Sequence, residues 1–285
     1  MKKKFVVIGA SDSRFGDFVA EHWLKSLKKC IDLKVTDIVI LNYGLTASQK
    51  RKITLSGAKV VDCVRDGYIV NLRYRDILNF LRKSSYNQVL ACDSGDIIFQ
   101  KNIMNVFYEN STSFRAVTES IQPPTLEYSF AKGTFSDKTK KEILKTLAKK
   151  RMVNGGFIAA PSGKFIYLCK SMMSMIEKMD SFGPDQIVLN YVLYKQGFAD
   201  LGENFNYIPA TAKRGCQIKN GQFYNGEGDL MHVVHNAGNY DKFRIIKNFG
   251  YGRNRNIHFK FFTYFLLRYT YKVVGTYRRV KNLFY

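Results

Sequence analysis

Proline and cysteine are scarce in this 285-residue sequence, with five of each. The cysteines (30, 63, 92, 169 and 216) include no CxxC pair, and their odd, scattered set argues against a disulfide framework or a zinc knuckle. They suit a reducing compartment. Apolar runs are short. The opening run, Phe5 to Ala10, stops at Ser11-Asp12-Ser13-Arg14, too early for a secretory core. No stretch approaches the roughly 18 to 20 apolar residues that span a bilayer, so the expected location is the cytoplasm. There is no internal repeat. Acidic residues are outnumbered, 23 against 45 Lys and Arg, and from Lys242 to Tyr285 there is none.

What is present is apolar and aromatic. A hydrophobic fraction of 46% supports one sizeable core, and 22 Phe with 18 Tyr exclude a disordered chain. A formal charge of +22 favours a polyanionic partner: nucleic acid, phosphate-bearing metabolites or an anionic membrane.

Short buried strands are expected at Phe5 to Ala10, Asp37 to Leu41, Ala58 to Val61, Gln88 to Cys92, Phe114 to Val117, Gly155 to Ala160 and Met231 to His235. Between them, helices are expected at Phe18 to Lys29, Tyr68 to Leu81, Ile166 to Met179 and Asp185 to Lys195. A Pro123-Pro124 break precedes the lysine-rich stretch Lys132 to Arg151, which reads as a solvated helix face or a lid over a phosphate-bearing ligand. This alternation predicts an α/β, Rossmann-like domain with a mostly parallel sheet flanked by helices. Ligands of such sheets bind beyond the carboxyl ends of the strands.

Asp93-Ser-Gly-Asp96 falls at such an end, directly after Gln88 to Cys92. Two carboxylates this close repel unless a cation neutralises them. Mg²⁺ and Mn²⁺ take oxygen ligands and commonly bind one or two carboxylates together with substrate phosphates. Gly95 allows a tight turn or a close ligand approach. An ordinary turn has the same spelling, so company matters.

In that company the sequence resembles the GT-A glycosyltransferases, most closely family 8, over roughly residues 5 to 240. The family's Asp-x-Asp after an apolar strand binds Mn²⁺; here the spacing is one residue longer, and Ile97-Ile98-Phe99-Gln100 follows as in a variant of the pattern. Asn154-Gly155-Gly156-Phe157 resembles the family's Asn-x-Gly segment, which implies Asn154 near the transferred sugar and Gly155 on the donor. Asp185-Gln186-Ile187-Val188-Leu189-Asn190 resembles its Asp-Gln-x-x-Leu-Asn helix start. There the Asp binds sugar hydroxyls and the Gln lies beneath the anomeric carbon; Asp185 also suits a helix cap. His235 resembles the late histidine of the metal site, in preference to His232. The end of the first strand, Ala10, Ser11 and Asp12, would receive the nucleotide base. An arginine on the Tyr68 to Leu81 helix, Arg75 or Arg73, would contact the donor.

The expectation is a metal-dependent hexosyltransferase. Asp93, Asp96 and His235 would hold Mn²⁺ or Mg²⁺, with a UDP-sugar as donor and a glycan or lipid-linked molecule as acceptor. Residues 1–240 would form the catalytic domain. Residues 241–285, where Phe, Tyr, Lys and Arg interleave, would form a helical tail lying on anionic lipid, since aromatic rings settle at headgroups and each basic residue adds about 1 kcal/mol there. That places the protein peripherally on the inner face of the cell membrane, in surface glycan or lipopolysaccharide synthesis, without a nucleic-acid partner. A nucleotidyltransferase is the first rival; Gly9-Ala-Ser-Asp-Ser-Arg14 is a poor cradle for a triphosphate. The second, a non-enzymatic basic protein binding lipid or nucleic acid, leaves the ordered motifs unexplained.

Overall fold

The computed structural model describes residues 3–123, 130, 133–238, 242–253 and 256–281. Pro124, Lys132 and the 240/241 boundary lie outside them, as do the side chains of Arg278, Arg279 and Lys281. Seven strands form the central sheet: β1 (Phe5–Ser11), β2 (Thr36–Asn42), β3 (Lys59–Asp62), β4 (Gln88–Cys92), β6 (Phe114–Ala116), β7 (Phe157–Pro161) and β8 (Phe198–Asp200), in the order β3-β2-β1-β4-β7-β6-β8. Only β7 runs against the rest, pairing antiparallel with β4 and β6. The sheet is therefore mostly parallel, as expected, with β4 at its middle.

Both faces of the sheet are covered, which is why its strands read as continuous apolar runs rather than alternating ones. One layer packs the helices Ile69–Arg82, Ser162–Met175 and Pro184–Gln196 against Val6, Ile8, Val89 and Ile158. The other packs Trp23, Leu24 and Leu27 against Val7, Ile38, Leu90 and Phe157. The segment expected as one helix from Phe18 begins with a short turn, loosens over Val19–Trp23 into a five-residue π-helix, and becomes α-helical at Leu24–Cys30. The lysine-rich stretch holds the helix Asp137–Leu147, capped by Ser136, whose side chain accepts from the Thr139 N–H.

Beyond the central sheet, β5 (Ile97–Phe99) pairs antiparallel with β11 (Val233–His235), with His235 opposite Ile97. β9 (Gln217–Lys219) and β10 (Gln222–Tyr224) form a hairpin, and β12 (Ile246–Lys247) pairs with β13 (His258–Phe259). Ile246 and Ile257 are buried with Ile98, Tyr207 and Val234, so residues around β12 belong to the body of the protein. The last helix, Phe261–Lys281, lays Tyr264, Leu267 and Tyr271 on Ile208, Ala210 and Ile245, a spacing of three and four residues that puts them on one face. Arg268 fastens this face by donating to the carbonyls of Pro209 (3.1 Å) and Ala212 (2.7 Å). The opposite face exposes Phe261, Phe262, Phe265, Leu266, Tyr269, Val273 and Tyr277. Among the described residues, no helix is long and apolar enough to cross a membrane.

Candidate metal and donor site

β4 delivers Asp93 to the carboxyl edge of the sheet, where the Asp93 N–H donates to the Gly156 carbonyl (2.9 Å). The buried Trp23 indole N–H donates to the Asp93 carbonyl (3.1 Å). Ser94 Oγ donates to the Ala10 carbonyl (2.8 Å), tying the turn to the end of β1. A Cβ on Gly95 would lie 2.7 Å from the Phe15 ring, so the close approach expected at this glycine is made by the protein's own aromatic. β5 starts at once after Asp96, and its pairing with β11 carries His235 alongside. The Asn236 N–H donates to the Asp96 carbonyl (2.8 Å).

The result is a compact set of donors. Asp93, Asp96 and His235 each offer one ligand atom, all within 4.8 Å of one another. His235 Nε2 lies 3.3 Å from Asp96 Oδ1 and 3.6 Å from Asp93 Oδ2. Burial lowers the His235 pKa, but the two carboxylates outweigh it, and the net shift is upward. Burial likewise raises Asp96, and His235 with Arg244 and Arg73 turns the net shift downward. Two carboxylates and one imidazole nitrogen, fixed by neighbouring strands, fit a divalent cation that accepts mostly oxygen. His232, three residues earlier, is elsewhere: its ring stacks on Phe205 at 4.3 Å.

Two arginines bracket the acids. Arg73 donates to Asp93 through Nη1, and through Nη2 to Asp185 Oδ2 (3.3 Å) and the Gly155 carbonyl (3.3 Å). Arg75 does not enter the cluster; it pairs with Asp66 (2.6 Å) and Asp76 (3.0 Å) and donates to the Val64 carbonyl. Two residues along a helix turn the side chain by about 200°, so only one of the pair can face the sheet edge. Arg244 lies on the other side, with Nη2 3.1 Å from Asp96 Oδ2 and its guanidinium 4.8 Å from the Phe15 ring centre. No motif in the sequence pointed to it.

Asp185 opens the helix Pro184–Gln196, where a carboxylate is favoured by the unpaired N–H groups. It is buried, and burial raises its pKa to about 6 against the pull of Arg73. Gln186 is half-buried beside it. Asn190, one turn on, accepts from the Val153 N–H (2.6 Å) and donates to the Val153 carbonyl (2.9 Å), holding the Asn154-Gly-Gly segment to this helix. Gly155 faces Arg73, and Gly156 abuts His235. Asn154 is buried and its amide is engaged by Glu119, Gly156 and Asn206. Ser11 and Asp12 are buried at the end of β1, with Ala10 half-buried beside them, and Asp12 pairs with Arg65 (3.0 Å).

No family model matches the sequence, and no curated protein matches it. Solved structures do match. The bifunctional glycosyltransferase WbbM, in its apo form, superposes over 85% of this chain and 47% of its own, with a TM-score of 0.56 and 14% identity. The galactosyltransferase LgtC, in complex with donor and acceptor sugar analogues, superposes over 84% of this chain and 89% of its own, with a TM-score of 0.53 and 12% identity. The chain has the GT-A fold. It spans about half the length of WbbM. Within the GT-A fold, the acid cluster stands at the carboxyl end of the middle strand, where ligands of open parallel sheets bind.

Proposed function

We propose that the protein is a metal-dependent glycosyltransferase that moves a sugar from a nucleotide-sugar donor, a UDP-sugar, to a glycan or lipid-linked acceptor. The observation that carries this reading is the Asp93, Asp96 and His235 cluster at the mouth of a GT-A sheet. These three residues would hold Mn²⁺ or Mg²⁺. When bound, the ion supplies positive charge against the diphosphate leaving group.

The remaining work falls to the chain. Arg73 holds half-buried Asp93 and buried Asp185 in one assembly, so the carboxylate meant for the sugar hydroxyls is fixed before the donor arrives. Gln186 lies next to it, at the helix start. Arg244 adds a second cation beside Asp96, where the phosphates would lie. Asp12, Ser11 and Ala10 would take the base. The exposed aromatic face of the last helix would rest on anionic lipid, bringing the enzyme to lipid-linked acceptors at the inner face of the membrane.

Hydrolysis of a panel of UDP-sugars with Mn²⁺, Mg²⁺ or chelator tests the reading. Metal-dependent release of UDP is expected, with Asp96→Ala lowering it at least ~100-fold while the fold stays intact. Equal turnover in chelator, or in the Asp96→Ala protein, would overturn it.

A further inference from the structure

A chain of buried amides runs from Glu119 to the imidazole of His235, and its polarity is set at both ends. Asn154 Oδ1 accepts from the Gly156 main-chain N–H (2.8 Å), a group that can only donate. The other half of that amide, Nδ2, therefore faces Glu119 Oε1 (2.9 Å), which accepts. Asn154 Oδ1 also meets Asn206 (2.9 Å), so Asn206 must present its Nδ2 there and its Oδ1 to the other side. That oxygen lies 3.0 Å from His235 Nδ1. An amide oxygen can only accept, so Nδ1 carries the proton. With one proton on the ring, the lone pair is left on Nε2, the nitrogen that faces Asp93 and Asp96.

We infer that Asn206 is the positioning residue of the metal site, holding His235 in the tautomer and orientation that turn Nε2 toward the two carboxylates, with Asn154 and Glu119 fixing the direction of Asn206. This rests on the metal reading above. Asn206 is 2% exposed, and its amide joins two other buried polar side chains where little solvent can replace either partner. A ligating histidine whose second nitrogen is held by a fixed acceptor binds its ion more tightly, and removal of such an acceptor costs roughly 10- to 100-fold in affinity. The inference also gives Asn154 a role that its neighbours define, through contacts with Glu119, Gly156 and Asn206.

Mn²⁺ binding to the full chain without nucleotide, followed by the electron paramagnetic resonance of the free ion, tests it. Asn206→Leu, of similar size but without an acceptor, is expected to raise the dissociation constant ~10- to 100-fold. Asn206→Asp keeps an oxygen opposite Nδ1 but sets its other oxygen against Asn154 Oδ1, so it is expected to recover part of that loss. Unchanged affinity in Asn206→Leu, with His235→Ala weakened, overturns the positioning role and leaves the metal reading standing. Unchanged affinity in His235→Ala overturns both. Equal weakening in the Leu and Asp variants reduces Asn206 to packing and overturns the inference. A readout that needs no variant is the long-range ¹⁵N–¹H spectrum of the wild-type protein loaded with diamagnetic Zn²⁺. The ring proton is expected on Nδ1; a proton on Nε2 overturns the assignment.

Discussion

At the scale of single residues, Gly156 shows how tightly the site is drawn. A Cβ there would lie 2.4 Å from His235 Cε1 and 2.8 Å from Nδ1, closer than packed atoms tolerate. Gly156→Ala should push the imidazole off its position and weaken Mn²⁺ binding at least ~10-fold with little change in helix content by circular dichroism; wild-type affinity would count against that geometry. Gly155, by contrast, has ordinary clearance of 3.6 Å to Leu189 and should accept alanine more easily. The Asp185 carboxyl offers a pH test. Burial raises it from 3.8 to about 6, so the folded metal-free protein holds a proton that the unfolded chain gives up. Stability from this group is fully present below the lower value, declines as pH rises between the two, and is level above the upper one. Denaturation of wild type and Asp185→Asn from about pH 3 to about pH 8 should show a steeper decline in wild type than in the variant between those two values. The carboxylates and His235 were legible in the sequence because motif order announced them. Arg73 was not separable from Arg75 without knowing the phase of their helix, and Asn206 and Arg244 carry no pattern that sequence reading can use.

At the scale of elements, the apolar runs named most strands correctly because burial on both faces leaves a continuous signature. β5 escaped: Ile97–Phe99 read as the end of a motif, since three residues show no periodicity. Strand direction was also illegible. The reversal of β7 is set by its partners β4 and β6, and nothing local in Phe157–Pro161 encodes it. The last helix was expected from its composition, but its two-faced character comes from docking: Tyr264, Leu267 and Tyr271 are taken by the body, leaving the rings on the far side. If that far side meets lipid, replacing Phe261, Phe262 and Phe265 with serine should lower binding to anionic vesicles by on the order of tenfold or more, since each apolar ring can contribute ~1.5–3 kcal/mol on leaving water. Co-sedimentation would measure it. Unaltered binding would remove the helix from the membrane reading.

At the scale of the whole molecule, positive charge dominates. The excess of 45 basic over 23 acidic residues sets a field that draws anions of every kind, and composition did not say which. At the ligand edge of the sheet the fold places acids flanked by Arg73 and Arg244. An ion held there should stabilise the protein as a whole. At about 100 times its dissociation constant it would add ~2.7 kcal/mol, which for a chain of this size is a rise of a few degrees in melting temperature. Differential scanning fluorimetry with Mn²⁺ checks this, and Asp96→Ala should abolish the rise.

β11 has a consequence for the life of the chain before it is finished. Asp93 and Asp96 are made before their imidazole partner, which arrives only with Val233–His235, and Arg244 follows later still. A polypeptide interrupted between them thus lacks the full Asp93, Asp96 and His235 cluster however well its first strands have folded.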